Sequence, residues 1–304
     1  MTKKIYVYST GRKRTSDITR TFAHGINQSA LDYKAEYVDI QDYLDNGIPD
    51  DADGIAVLGI LRGTGLAIKD AKQKGIDYYY IDHAYFNPGY ASPCWLRVTK
   101  NAHTMNYLNT RDQIETHRWK KHFIRQNPIK QWRPKDFKGN NILILPATHA
   151  VQWFFDDYDW HNRVVDSLHS WLPEDQWGRI KIRNKPKEPV VDKLGNLVRL
   201  QERNEPQRPL QYDLEDAFVV IGYNSMVCLQ ASLQGLPVIT GPHNCCKPIS
   251  FNLEDFKFST HPDSFDQQQN VGFLAHWLSY CQFSLEDFET GKAWNTIQRY
   301  QYGI

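Results

Sequence analysis

Short apolar runs alternate with helical spacing along the first part of the chain. Lys4–Ser9, Gly54–Gly59 and Asp77–Ile81 are short and rich in β-branched or aromatic residues, so they predict buried strands rather than helices. Helical spacing follows the first two strands, over Asp17–Gln28 and Leu66–Lys74. Strands that alternate with helices are typical of an α/β fold with a parallel sheet.

The same alternation returns after Gly139. Between the last two predicted strands, Ser225 can cap a helix that Gly235 ends. Such a strand–helix–strand crossover is almost always right-handed and leaves the turn before the helix at the carboxyl edge of the sheet. Free N–H groups and the helix dipole favour anions there. The four strands predicted in this part are Asn141–Leu145, Ile180–Arg183, Ala217–Ile221 and Pro237–Thr240.

The stretch 224–242, NSMVCLQASLQGLPVITGP, resembles a signature of the GT-B glycosyltransferases, NST-x-x-x-EA-x-x-x-G-x-PV. The resemblance is greatest to the capsular-polysaccharide (KpsC/KpsS-like) group. It implies a nucleotide-sugar-binding domain in which Asn224 and Ser225 contact the donor phosphates. Gln230 stands where the family has a glutamate, so this residue lacks the negative charge with which the family would contact the donor ribose.

Two further turns are expected in the same crevice. IRNKP, residues 182–186, resembles the R-x-H/K-P turn of this group, which implies that Arg183 and Lys185 lie near the donor diphosphate. Positive charge there would stabilise the leaving group. Thr148 and His149 follow the first strand of this half, so we expect them at the same sheet edge.

The strand end at Asp82 and His83 predicts acid–base chemistry. The stretch from Gly59 to Phe86 is similar to the capsule-group segment that leads to an EDGF motif, so Asp82 stands where that family has an acidic residue facing the acceptor. His83 departs from the pattern. Either side chain could take a proton from an acceptor hydroxyl, and both remain candidates. The alternative is a loop-capping pair satisfied by backbone groups.

Positive charge is concentrated in the first half of the chain. Residues 1–140 contain 22 Lys and Arg and 15 Asp and Glu, whereas residues 141–304 contain 14 and 20. Arg12, Lys13 and Arg14 follow the first strand and Arg62 follows a later one, so we predict that they bind phosphates or an anionic acceptor. A solvated, charged surface is the alternative.

The segment 117–138 interleaves aromatic residues with Lys and Arg. Basic groups can neutralise phosphates, and aromatic rings can stack on bases or sugars. A connection between domains whose aromatic rings pack on the core is the other interpretation.

These observations predict an α/β protein with two Rossmann-like domains in the GT-B architecture and a nucleotide sugar bound between them. We expect an acceptor-binding domain over residues 1–139 that includes the basic linker. The nucleotide-sugar-binding domain is expected over residues 140–275. Over residues 276–304 we expect a C-terminal helix that packs back on the first domain.

The predicted reaction transfers a sugar from a nucleotide sugar to a hydroxyl of a polyanionic acceptor. Hydroxymethylated bases in phage DNA are narrowly preferred as that acceptor, and capsular or other surface polysaccharide is the alternative. A third hypothesis is a non-catalytic protein that binds nucleotide sugars or nucleic acid. No cofactor is expected besides the nucleotide-sugar co-substrate, whose identity stays open.

The sequence predicts neither a metal site nor a membrane span. The five cysteines include the adjacent pair Cys245 and Cys246 but no CxxC spacing. No apolar run approaches the 18 or more residues that a span needs. We therefore expect a cytoplasmic protein, in the host cytoplasm if it is encoded by a phage.

Overall fold

Strands and helices alternate through the first hundred residues, as the hydrophobic pattern predicts. The computed structural model describes residues 2–89, 94–104, 117–134, 136–202, 208–262 and 265–300. The elements of the first part are β1 (Lys3–Ser9), α1 (Lys13–Gln28), β2 (Tyr33–Asp39), α2 (Ile40–Asn46), β3 (Gly54–Leu58), α3 (Thr64–Lys74), β4 (Asp77–His83), β5 (Trp95–Lys100) and α4 (His117–His122).

The rest of the chain begins with a similar alternation and ends with helices around a short strand. Its elements are β6 (Asn141–Leu145), α5 (His149–Phe155), α6 (Trp160–Trp171), β7 (Ile180–Ile182), β8 (Lys187–Val191), β9 (Leu197–Glu202), α7 (Leu210–Asp216), β10 (Ala217–Gly222), α8 (Val227–Leu233), β11 (Val238–Thr240), α9 (Phe265–Ser279), β12 (Gln282–Ser284), α10 (Leu285–Glu289) and α11 (Lys292–Tyr300).

Two sheets contain most of these strands. The first has the order β12-β5-β4-β3-β1-β2, in which the four strands β1 to β4 are parallel and β5 and β12 are antiparallel additions at one side. The second has the order β11-β10-β6-β7 and is parallel throughout. These sheets and their helices confirm the predicted α/β class.

The chain divides into two compact units. The first comprises Met1–Arg118, Val191–Val198 and Trp277–Ile304, and the second comprises Trp119–Val190 and Arg199–His276. The end of the chain thus belongs to the same unit as its beginning, although it returns as a strand and two helices rather than as one helix. The predicted domain bounds at residues 139–140 and 275–276 stay a prediction.

The helix after β1 begins earlier than expected. α1 starts at Lys13 rather than at Asp17, with Arg12 as its N-cap and Arg14 in its first turn. The Thr15 hydroxyl donates a hydrogen bond to the Arg12 carbonyl at 2.9 Å. This local bond stabilises a helical turn in a stretch whose charges suggest a loop.

Three aromatic residues of the basic segment are buried, and a fourth, Phe137, is half-buried. Trp119, Phe123 and Trp132 are at most 5% exposed, within the second unit. The backbone N–H of Lys130 donates to the Leu233 carbonyl at 2.8 Å, which fastens the segment to the end of α8. Rings enclosed in this way cannot stack on nucleic-acid bases, so the geometry favours the interpretation that they pack on the core.

The C-terminal return requires a glycine on α1. A Cβ at Gly25 would lie 1.7 Å from the Phe288 carbonyl oxygen, so only glycine lets α1 approach α10 this closely. On the same face, the Trp294 ring packs against Phe22 and Tyr79. Backbone contact and buried aromatic rings together hold the C-terminal helices on the first sheet.

We expect Gly25→Ala to lower the free energy of unfolding by about 3 kcal/mol, because the methyl group overlaps a backbone carbonyl that cannot simply rotate away. Gly272→Ala in α9 is the matched control. A Cβ there meets no atom within 4 Å, and alanine in a helix should stabilise by up to about 1 kcal/mol. Urea unfolding measures both. Equal midpoints for Gly25→Ala and the unchanged protein would contradict the close approach.

Candidate functional site

In the second unit, the strands β6 and β10 end side by side at the carboxyl edge of the sheet. The chain leaves β6 towards β7 on one side and leaves β10 towards β11 on the other. Parallel sheets bind ligands at such a switch point, because the two loops diverge and leave a crevice. The Tyr223 N–H donates to the Leu145 carbonyl at 3.4 Å, which brings the start of the two loops together.

The predicted phosphate turn lies in the second of these loops. The backbone N–H groups of Asn224 and Ser225 have no hydrogen-bond partner within the part of the chain that the structure describes, and both residues are half-buried. The sequence predicts Ser225 as the N-cap of α8, but Met226 takes that position. The Ser225 hydroxyl instead accepts a hydrogen bond from the Val227 N–H at 3.3 Å. Two adjacent unpaired donors thus stand at the sheet edge.

The turn is held in place by close packing behind it. A Cβ at Gly222 would lie 2.6 Å from the Cys228 sulfur, and one at Gly241 would lie 2.9 Å from the Tyr223 carbonyl oxygen. The Asn244 side chain donates to the Ser225 carbonyl at 3.3 Å. The loop after β11 therefore supports the turn, a role that no local pattern around Asn244 predicts.

Thr148 and His149 lie in the loop after β6, at the same edge. Thr148 is the N-cap of α5, but its side chain makes no hydrogen bond to the described residues. The His149 N–H donates to a Glu188 carboxylate oxygen at 2.6 Å. Glu188 was not predicted as part of this region, and its carboxylate takes the place that an anion would take at the start of this helix.

Of the two predicted cations of the IRNKP turn, one is already neutralised. Arg183 forms an ion pair with Asp213, and it also donates to the Arg208 carbonyl at 2.9 Å. Lys185 is exposed. The structure therefore makes Lys185 the more available positive charge, while Arg183 braces the segment before α7.

Gln230 lines a cavity whose lining does not include the phosphate turn. This cavity has a volume of about 380 Å³ and is also lined by Lys130, Gln211 and Gln234, near the carboxyl end of α8. The Asn224 turn precedes the opposite end of that helix. The predicted ribose contact of Gln230 finds no support in this placement.

A pair of stacked rings lies near the same edge and was not predicted. The rings of Phe155 and His243 are parallel, with centroids 3.9 Å apart. Phe155 ends α5 and His243 follows β11. His243 is exposed. Its only signal in the sequence is its position after a strand of the parallel sheet.

In the first unit, Asp82 forms an ion pair with the buried side chain of Arg97. Its carboxylate accepts hydrogen bonds from Arg97 at 2.7 Å, from the Tyr80 hydroxyl at 2.8 Å and from the His83 N–H at 2.8 Å. Burial acts to raise the pKa of Asp82, but the Arg97 charge and these hydrogen bonds outweigh it, so the pKa lies below its ordinary value. A carboxylate stabilised in this way is a weaker base.

His83 is the last residue of β4 and is exposed at the carboxyl edge of the first sheet. Its strand β4 pairs in parallel with β3, so the loop after β3, which contains Arg62, begins at the same edge. The geometry therefore favours His83 over Asp82 as a group that can meet an acceptor hydroxyl. Arg97, fifteen residues after Asp82, was not predicted at all.

Arg12 and Arg62 lie close enough for their charges to interact, although they come from different loops. Burial of the Arg62 guanidinium lowers its pKa, and the nearby charge of Arg12 lowers it further. Arg62 also has a left-handed backbone, with φ of 63°, which costs a non-glycine residue about 1 kcal/mol. Lys13 and Arg14 follow Arg12 in the first turn of α1. The structure thus places the predicted cations at the carboxyl ends of β1 and β3.

Among the described residues, no group of three or more His, Cys, Asp or Glu side chains could hold a metal ion. No described helix combines the length and the apolarity that crossing a membrane requires.

Comparisons with known proteins give distant likenesses in structure. No protein-family model matches the chain, and no curated protein sequence does. KpsC of Thermosulfurimonas dismutans, a beta Kdo 2,4 transferase, is 13% identical, with a TM-score of 0.46 over 91% of this chain and 90% of that chain. The beta Kdo 2,7 transferase of KpsC from the same organism is 13% identical, with a TM-score of 0.45 over 95% of this chain and 99% of that chain. A putative UDP-N-acetylglucosamine 2-epimerase from Listeria monocytogenes is 11% identical, with a TM-score of 0.25 over 98% and 95%. Likenesses this weak assign no activity to this chain.

We expect Asp82→Asn to lower the free energy of unfolding by about 3 kcal/mol, because it leaves the Arg97 guanidinium buried without its counter-charge. His83→Ala, at the neighbouring exposed position, should change stability by less than about 0.5 kcal/mol. Thermal and urea unfolding of both variants check this. If Asp82→Asn were as stable as the unchanged protein, Asp82 would not be a structural partner of Arg97.

Proposed function

We propose that this protein is a glycosyltransferase that uses a nucleotide sugar. The observation that carries the proposal is the pair of unpaired N–H groups of Asn224 and Ser225 at the switch point of a parallel sheet. Donors fixed in this way suit a diphosphate, since they need no reorganisation when negative charge builds on the leaving group. The resemblance of residues 224–242 to the GT-B signature supports the same role.

Other groups at this edge have places in the proposal. Lys185 supplies positive charge to the diphosphate, and the free hydroxyl of Thr148 supplies a hydrogen bond. The exposed face of His243, held by Phe155, offers an aromatic surface for the nucleobase. Arg183 is a brace here, because Asp213 already neutralises it.

In the first unit, His83 is our candidate for the general base. Its imidazole can take the proton of an acceptor hydroxyl. The Asp82 carboxylate is a weaker base for this step because its pKa is lowered. Arg12 and Arg62 would bind an anionic group of the acceptor. The base, the donor and the acceptor are all proposals.

A glycan is the acceptor that we propose. The preference for DNA rested in part on rings in the basic segment that could stack on bases, and three of these rings, Trp119, Phe123 and Trp132, are buried. The cations at the carboxyl ends of β1 and β3 suit an acidic saccharide, such as capsular or other surface polysaccharide. Modification of hydroxymethylated DNA becomes an outcome that the experiment can still reveal.

The proposal is tested by incubating the protein with several labelled nucleotide sugars and either an acidic oligosaccharide, hydroxymethylated DNA or no acceptor. We expect label on the oligosaccharide. His83→Ala should lower kcat for this transfer by at least about a hundredfold, as expected for loss of a general base, whereas His161→Ala, at a half-buried position in the second unit, should leave it unchanged. Label on DNA alone would overturn the glycan proposal. Donor binding with no turnover would favour the non-catalytic hypothesis.

A further inference from the structure

A cleft in the first unit contains Lys13, one of the cations predicted to bind an anionic acceptor, but its other lining residues have no part in the chemistry proposed so far. It has a volume of about 530 Å³ and is lined by residues from the carboxyl ends of β1 and β2 and from the first two turns of α1. This is the edge at which parallel sheets bind ligands. Six of the residues that line it are Ser9, Lys13, Ser16, Asp17, Arg20 and Tyr37.

Two cations point to a negatively charged ligand. Lys13 and Arg20 are seven residues apart on α1, so they lie on the same face of the helix two turns apart. The first turn contains no acidic residue, and no side chain caps the helix. Lys13, in the first turn, lies at the positive end of the helix dipole, and an anion bound beside it would offset the resulting repulsion.

Tyr37 lines the cleft beside Arg20. Its hydroxyl donates to the Ser16 carbonyl at 3.2 Å, and the Arg20 guanidinium lies 5.2 Å from its ring centroid. Burial acts to raise the pKa of Tyr37, but hydrogen bonds from Ser9, Ser16 and Thr19 and the charge of Arg20 outweigh it, so the pKa is lowered. The positive charge of Arg20 beside the ring would also attract an oxyanion bound in the cleft.

The cleft also contains groups that recognise hydroxyls. Asp17 and Asp39 line it, and Asp39 already accepts the Gln41 N–H at 2.9 Å as the N-cap of α2. The buried hydroxyls of Ser9 and Ser16 are hydrogen-bonded to each other at 2.7 Å. Carboxylates accept hydrogen bonds from ligand hydroxyls, so a ligand with hydroxyls beside its anionic group can meet both kinds of side chain.

We propose that this cleft binds a polyhydroxylated oxyanion, which is an acidic sugar or a sugar phosphate. Lys13 and Arg20 hold the carboxylate or phosphate, and Asp17 accepts hydrogen bonds from neighbouring hydroxyls. That the ligand is part of the acceptor rests on the proposed function. Binding itself requires no donor, so the test below can fail while the proposed transfer holds, and the reverse.

The experiment measures binding of glucuronate, glucose 6-phosphate and glucose by calorimetry and by NMR of the protein labelled with ¹³C at the tyrosine Cζ, without any nucleotide sugar. Tyr37→Phe identifies the Tyr37 resonance. We expect glucuronate, glucose 6-phosphate or both to bind and to raise the pKa of Tyr37, because a bound anion disfavours the phenolate. The double variant Lys13→Gln/Arg20→Gln should bind at least tenfold more weakly. Lys34→Gln/Lys257→Gln, which removes the same charge at two exposed positions, should bind normally.

Binding of glucuronate alone identifies a carboxylate site, binding of glucose 6-phosphate alone identifies a phosphate site, and both results support the proposal. Equal binding of glucose and of the charged sugars would overturn it, as would an unchanged affinity in Lys13→Gln/Arg20→Gln. Absence of binding by either charged sugar, with circular dichroism showing a folded protein, would overturn it as well.

Discussion

Parallel strands that sit side by side must all end at the same edge of their sheet, and the candidate chemistry of this protein follows from that constraint. In the second unit it brings the loops after β6 and β10 together, and in the first unit it brings together the loops after β1, β3 and β4. The strand β10 is buried along its whole length, so its position is determined by the core rather than by the loop that follows. A rigid strand end of this kind presents backbone N–H groups that are already ordered, so binding a ligand requires no further loss of conformational entropy there.

Charge pairing separates the residues that support these edges from those that can meet a ligand. Asp82 with Arg97 and Arg183 with Asp213 are pairs whose members are at most 27% exposed at the side chain, and Asp213 also pairs with Arg208. His83 and Lys185 are exposed beside these pairs. Arg12 and Arg62 form no ion pair with a carboxylate among the residues that the structure describes, and an anionic ligand would relieve the repulsion between them.

The sequence predicted the architecture well because the central strands β1, β3, β6 and β10 are short apolar runs closed by glycine or by polar residues. It missed β8 and β9, whose charged and polar residues suggest an exposed loop. It also missed β12, since Gln282–Ser284 is too short to stand out between two helical patterns and becomes a strand only by pairing with β5. The partners of the site were also missed. Arg97 and Asp213 lie 15 and 30 residues from the side chains that they neutralise, and no local spacing reveals a contact of that kind. The burial of Trp119 and Trp132 likewise depends on tertiary packing, whereas their spacing among basic residues suits an exposed surface equally well.

The central claim is that the N–H groups of Asn224 and Ser225 bind the diphosphate of a nucleotide sugar. Its most direct test is amide NMR of the ¹⁵N-labelled protein, titrated with a nucleoside diphosphate and with the corresponding nucleoside. The account predicts large downfield shifts of the Asn224 and Ser225 amides with the diphosphate only, and at least tenfold weaker binding in Asn224→Asp, which adds negative charge without changing size. Unmoved Asn224 and Ser225 amides at saturating diphosphate, or equal affinity in Asn224→Asp, would contradict it.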